Sequence, residues 1–134
     1  MARYLLDTNI LADLLRHPAG RVAERIVRVG EANVCTSIIV VCELRFGARK
    51  KNAARLAQRI EQLFNTLEIL PLAPDDDRSY AEVRAGLKRK GRPIGANDLL
   101  IAAHALCEHC VLATHNVGEF SRIAGLRVED WLAE

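Results

Sequence analysis

Apolar positions in this chain fall into short continuous runs that alternate with longer stretches at helical spacing. Arg3–Leu6 predicts a strand ending at Asp7, and Ile10, Leu11, Leu14 and Leu15 predict a helix with Thr8 or Asn9 as its cap. Pro18 and Gly20 break that helix, and Val22, Ala23, Ile26 and Val27 predict another that Gly30 closes. Asn33–Thr36 is β-prone, and Ser37 is placed to cap a helix from Ile38 to about Lys50. Leu56, Ile60, Leu63, Phe64 and Leu67 predict a further amphipathic helix, followed by a short strand at Glu68-Ile69-Leu70 that Pro71 and Pro74 stop. Asp75-Asp76-Asp77 has the charge of a helix's first turn, with Tyr80, Val83 and Leu87 along that helix. Gly91–Gly95 reads as a loop, Asp98–Cys107 as a helix buried on most faces, and Val111–Ala113 as a strand. Phe120 and Ile123 mark a helical turn, and Leu126–Val128 a last strand.

Strands that are apolar throughout, alternating with helices, belong to a parallel sheet covered on both faces. The expected fold is a three-layer α/β/α sandwich with a mostly parallel sheet of four to five strands, as one domain over residues 1–134. Half of the residues are hydrophobic, which excludes a solvated disordered chain. No apolar run reaches the roughly 18 residues of a membrane span, and the early Asp7 argues against a secretory leader, so the expected location is the cytoplasm.

The formal net charge of +2 is unremarkable, but its distribution matters. Lys88, Arg89, Lys90 and Arg92 crowd together just before Asp98, where they are able to hold a phosphate backbone. His104, Cys107, His109 and Cys110 resemble a zinc cluster, yet no second ligand pair follows at the right spacing, so reduced thiols are expected instead.

Ligands of open parallel sheets bind beyond the strand carboxyl ends, near the reversal of strand order. Asp7, Thr114 and Asn116 follow strands, Glu43 lies in the helix after the second strand, and Asp98 opens the buried helix. Carboxylates gathered without cations repel one another, and a hard divalent cation, Mg2+ or Mn2+, relieves that repulsion. Such an ion with open positions supports phosphodiester hydrolysis.

These residues also carry a resemblance. Leu5-Leu6-Asp7-Thr8-Asn9-Ile10-Leu11, Cys42-Glu43-Leu44, Gly91-Arg92-Pro93-Ile94-Gly95 and Asn97-Asp98-Leu99-Leu100-Ile101 resemble PIN-domain ribonucleases. Thr114-His115-Asn116-Val117-Gly118-Glu119-Phe120, with Gly125-Leu126 and Glu129-Asp130-Trp131, is similar to the VapC toxin branch. The resemblance implies a Mg2+- or Mn2+-dependent endoribonuclease, the toxin of a toxin–antitoxin pair. It implies a homodimer, a higher toxin–antitoxin complex with a VapB-type antitoxin, and structured RNA, including a tRNA anticodon loop, as substrate. By position, Asp7, Glu43 and Asp98 match the family's metal-binding acids, and Thr114 matches its small hydroxyl residue. Asn116 stands where many PIN domains have a fourth acid, with Glu119 nearby to compensate.

Three other readings compete. An aspartyl phosphatase wants a second acid two positions after Asp7, where Asn9 stands, and a phospho-acceptor receiver wants an acid after the third strand, where Pro71 stands. The alternative of a different class is a non-catalytic PIN domain that binds RNA or a protein partner, and it rests on Asn116.

Overall fold

Leu5, Leu6 and Leu112 are fully buried side by side on the two central strands of a five-stranded parallel sheet. The computed structural model describes residues 2–133. In chain order, β1 (Tyr4–Leu6) is followed by α1 (Thr8–Arg16), α2 (Arg21–Val29), a 3-10 turn (Glu31–Asn33) and β2 (Val34–Ser37). Next come α3 (Ile38–Lys50), α4 (Ala54–Phe64), β3 (Glu68–Leu70), α5 (Asp76–Arg89) and α6 (Ala96–Cys107). The chain continues through β4 (Val111–Thr114), α7 (Val117–Phe120) and β5 (Val128–Asp130).

The strand order is β3-β2-β1-β4-β5, and every pairing is parallel. The chain steps outward from β1 to β3, then crosses back to set β4 on the other side of β1. All four residues of β2 and of β4 are buried, which requires cover on both faces of the sheet. The expected α/β sandwich is therefore the observed one, with strand order reversing between β1 and β4.

Local chemistry accounts for most element ends. Ser37 caps α3 by accepting from the Ile39 amide at 3.0 Å, and Gly30, at φ +95°, ends α2 in a conformation that L side chains avoid. Asp76 and Asp77 supply negative charge to the first turn of α5, and Asp76 also accepts from the Ala73 amide at 2.5 Å.

Several boundaries differ from the sequence reading by a residue or two, and four of the differences have a local cause. Asp7, not Thr8 or Asn9, caps α1, because its Oδ1 accepts from the Ile10 amide at 3.0 Å. The helix expected to include Leu67 ends at Phe64, and the Leu67 amide closes a turn onto the Leu63 carbonyl. The last strand begins at Val128 rather than Leu126, because the Leu126 amide is taken by the Ile123 carbonyl in a turn where Gly125 sits at φ +82°. Asn33 belongs to the 3-10 turn, where its amide bonds the Gly30 carbonyl, so β2 starts one residue later than expected.

All four cysteines are free. His104 has no part in a zinc cluster: it is fully buried, with Nδ1 2.7 Å from Ser37 Oγ and Nε2 3.1 Å from the Pro71 carbonyl. Since a carbonyl only accepts, Nε2 carries the hydrogen and Nδ1 accepts from Ser37. Trp131 packs its ring 5.4 Å from Tyr4 and anchors the C-terminal strand to the start of β1.

Candidate active site

Asp7 leaves the end of β1 at the strand-order reversal. Its amide donates to the Ala113 carbonyl of β4 at 3.1 Å, its own carbonyl accepts from the Leu11 amide, and its carboxylate is buried. Oδ1 accepts from the Ile10 amide, while Oδ2 accepts from the hydroxyl of Thr114 at the end of β4. Thr114 in turn accepts from the Asn116 amide at 3.0 Å. Burial, aided by the charge of Glu43, pushes the Asp7 carboxyl above the usual carboxylate range against the pull of these hydrogen bonds.

Glu43 reaches the same edge from α3. Thr8 donates its hydroxyl to Oε1, and the Asn97 amide group donates to Oε2 at 3.3 Å. Thus residues adjoining Asp7 and Asp98 in the chain hold the third carboxylate between them. Asp98 lies in the first turn of α6, half-buried. Its carboxyl is pushed up to about 7, by burial first, then by a hydrogen bond shared with Glu119 and by the charges of Glu119, Glu43 and Asp7. Glu119 sits on α7, where the Asn116 side-chain amide donates to it.

Asp98 therefore feels the charges of Asp7, Glu43 and Glu119, although the four acids come from separate parts of the chain. Among the described residues none of them is in an ion pair, and the hydrogen bonds that hold them come from hydroxyls, side-chain amides and backbone. No three His, Cys, Asp or Glu side chains among the described residues converge as an all-protein metal cage. An uncompensated, all-oxygen donor set of this kind fits a hard cation bound by one or two carboxylates and several waters. Burial and neighbouring acids disfavour the charges of Asp7 and Asp98, which such an ion would relieve.

Lys88 and Arg89 end α5, and Lys90 and Arg92 lie in the loop that leads to α6. All four are exposed, and Lys90 Nζ donates to the Arg122 carbonyl at 3.1 Å. Thr8 and Asn97 are the site residues that the sequence reading passed over. Their only signal was adjacency to Asp7 and Asp98, since nothing in a linear pattern says that both will meet Glu43.

The family model for the PIN domain matches residues 4–126. The chain belongs to the PIN-domain family. Within it the chain falls in the VapC ribonuclease branch. It is 35% identical over 133 residues to Ribonuclease VapC2 of Haemophilus influenzae, covering 98% of this chain and 100% of that protein. It is also 35% identical over 132 residues to the tRNA(fMet)-specific endonuclease VapC of Salmonella typhimurium, covering 98% and 99%. Among solved structures, DNA-bound VapBC from Salmonella typhimurium superposes with a TM-score of 0.91 at 35% identity, over 98% of this chain and 99% of that one. VapBC2 from Rickettsia felis, bound to a DNA fragment from its promoter, gives 0.88 at 34% identity, over 96% and 98%. PIN-family membership removes the aspartyl-phosphatase and receiver readings.

Proposed function

We propose that this protein is the endoribonuclease toxin of a VapBC pair, cutting structured RNA in the cytoplasm with residues 1–134 acting as one PIN domain. The observation that carries this reading is the gathering of Asp7, Glu43 and Glu119 around Asp98 beside the β1/β4 reversal, with no cation among their partners in the described residues. Mg2+ or Mn2+, held by Asp7 and Asp98 with Glu43 beside them, would supply charge neutralisation at the scissile phosphate and a more acidic water.

The chain's own groups do the positioning. Thr114 fixes the rotamer of Asp7, and Thr8 with Asn97 fixes Glu43, so the carboxylates are set before RNA arrives. Glu43 orients the attacking water through a carboxylate oxygen, and water adds to phosphorus as the bond to the leaving oxygen breaks. Asn116 is exposed beside the buried Thr114 and faces the water around the site. Lys88, Arg89, Lys90 and Arg92 hold the RNA backbone away from the repelling acids. Asn116 lacks the charge of a fourth acid, which is the basis of the non-catalytic alternative. Its amide donates to Glu119, however, so the fourth carboxylate is brought in by Asn116 rather than replaced by it.

Names among the relatives favour an initiator-tRNA substrate, and the VapBC structures favour a VapB-type antitoxin; a homodimer within a larger complex is part of the same proposal. The test is incubation of antitoxin-free protein with total tRNA and Mg2+ or Mn2+. Discrete fragments that disappear with EDTA and with Asp7→Asn support the assignment. Intact tRNA with retained RNA binding would replace it by the binding-module reading.

A further inference from the structure

A groove of about 370 Å³ runs between α5 and the loop entering α6, and the catalytic cluster does not use it. Tyr80, Arg84 and Lys88 line one wall, spaced four residues apart and so stacked on a single helical face. Pro93 and Ile94 form the opposite wall. Leu99, beside Asp98 in the chain, also borders the groove and is buried, so the groove lies along the first turn of α6. Tyr80 is half-buried against the core. The Arg84 guanidinium stands 6.0 Å from its ring centroid and donates to its hydroxyl at 3.0 Å.

An Arg–Tyr pair one turn apart is common on exposed helices and by itself asks for no ligand. Two further features distinguish this one. The pair faces a second apolar wall across a volume within the roughly 300–1,000 Å³ range of small-ligand sites. The charged residues lining the groove are both cations, Arg84 and Lys88, and no carboxylate among the described residues lines it, although the adjoining catalytic edge is acidic. An aromatic ring, apolar flanks and paired cations are the elements with which proteins hold a single-stranded nucleotide.

Resting on the ribonuclease reading and deepening it, we propose that this groove is a nucleotide subsite. One base of the RNA lies against Tyr80, Pro93 and Ile94, and its adjoining phosphate is held by Arg84 and Lys88. Stacking on a π-face is tolerant of base identity, so the subsite contributes affinity and register more than sequence choice.

The test measures RNA affinity in an Asp7→Asn background, using the anticodon stem-loop of initiator tRNA as probe. Tyr80→Leu keeps an apolar side chain but removes the stacking surface, and the expected loss is about five- to a hundred-fold. Tyr80→Phe keeps the ring and is expected to bind within about two-fold of the parent, whereas loss of stacking sits well outside that range. Arg84→Gln should weaken binding and lower the salt slope by about one ion. Arg28→Gln, an exposed change on α2, serves as the control and should leave affinity as it was. Placing an abasic nucleotide at each loop position in turn should find one position where Tyr80→Leu no longer matters. Unchanged affinity in folded Tyr80→Leu and Arg84→Gln overturns the subsite while leaving the ribonuclease reading intact, provided the unmutated chain binds and cuts RNA. A chain that neither binds nor cuts overturns both. If the substitutions change the oligomeric state instead of RNA affinity, the groove is a contact between copies and the proposal fails.

Discussion

The Thr114 hydroxyl donates to Oδ2 of Asp7 across the seam at which the sheet reverses its strand order. Both residues are buried, and 107 positions of sequence separate them. Together with the Ile10 amide on Oδ1, this bond fixes the orientation of a carboxylate whose charge the surroundings disfavour. The same carboxylate caps α1, so the start of that helix and the acidic edge share one side chain.

Thr114→Val keeps the shape and removes the donor. Cleavage and Mn2+ affinity should each fall about 10- to 100-fold, the usual effect of losing a hydrogen bond behind a ligand. Thr114→Ser should restore most of both. Steady-state cleavage beside calorimetric Mn2+ titration checks this, and equal Mn2+ affinity in Thr114→Val would show that Asp7 keeps its orientation without help.

Asp98 gives the apo protein a pH signature. Its folded carboxyl sits at about 7 against an ordinary value of 3.8, so between those values the folded chain holds a proton that the unfolded chain has released. That contribution is complete below the lower value and is lost as pH rises through the upper one. In EDTA, the urea midpoint of wild type should therefore fall relative to Asp98→Asn between pH 5 and pH 8. Mn2+ should reverse the trend for wild type alone. A constant difference across that range would show that neither burial nor the neighbouring acids raise the Asp98 carboxyl.

His104 ties the helix that carries Asp98 to the ends of two strands, through Ser37, the last residue of β2, and Pro71, just after β3. His104→Ala would leave a buried hydroxyl and carbonyl short of a partner and open a cavity. The expected cost is about 2–4 kcal/mol, read from urea unfolding. Ser37→Ala should cost less, on the order of 1 kcal/mol, since it removes the cap of α3 and the hydroxyl that donates to His104 Nδ1.

Replacing Lys88, Lys90 and Arg92 together with Gln should weaken RNA binding and reduce its salt slope by about two to three ions. Lys90 also donates to the Arg122 carbonyl, so Lys90→Gln alone should show the smallest effect of the three. Fluorescence anisotropy across a salt series measures both. An unchanged slope would move the RNA path away from this loop.

Much of this protein was legible along the chain because the signals are local. Continuous apolar strands demanded a sheet covered on both sides, Ser37 and Gly30 marked helix ends, and Asp7, Glu43 and Asp98 stood out by type and position. Where local signals competed, the sequence misled: Asp7 outbid Thr8 as a cap because its carboxylate reaches the Ile10 amide, and the turn at Gly125 delayed β5 until Val128. The strand order β3-β2-β1-β4-β5 was decided only by tertiary packing, and it alone brings Thr114 to Asp7. So too was the choice of Thr8 and Asn97 as the donors to Glu43. Periodicity records which face of an element is apolar. It does not record which neighbour that face will meet, and a catalytic edge is made of such meetings.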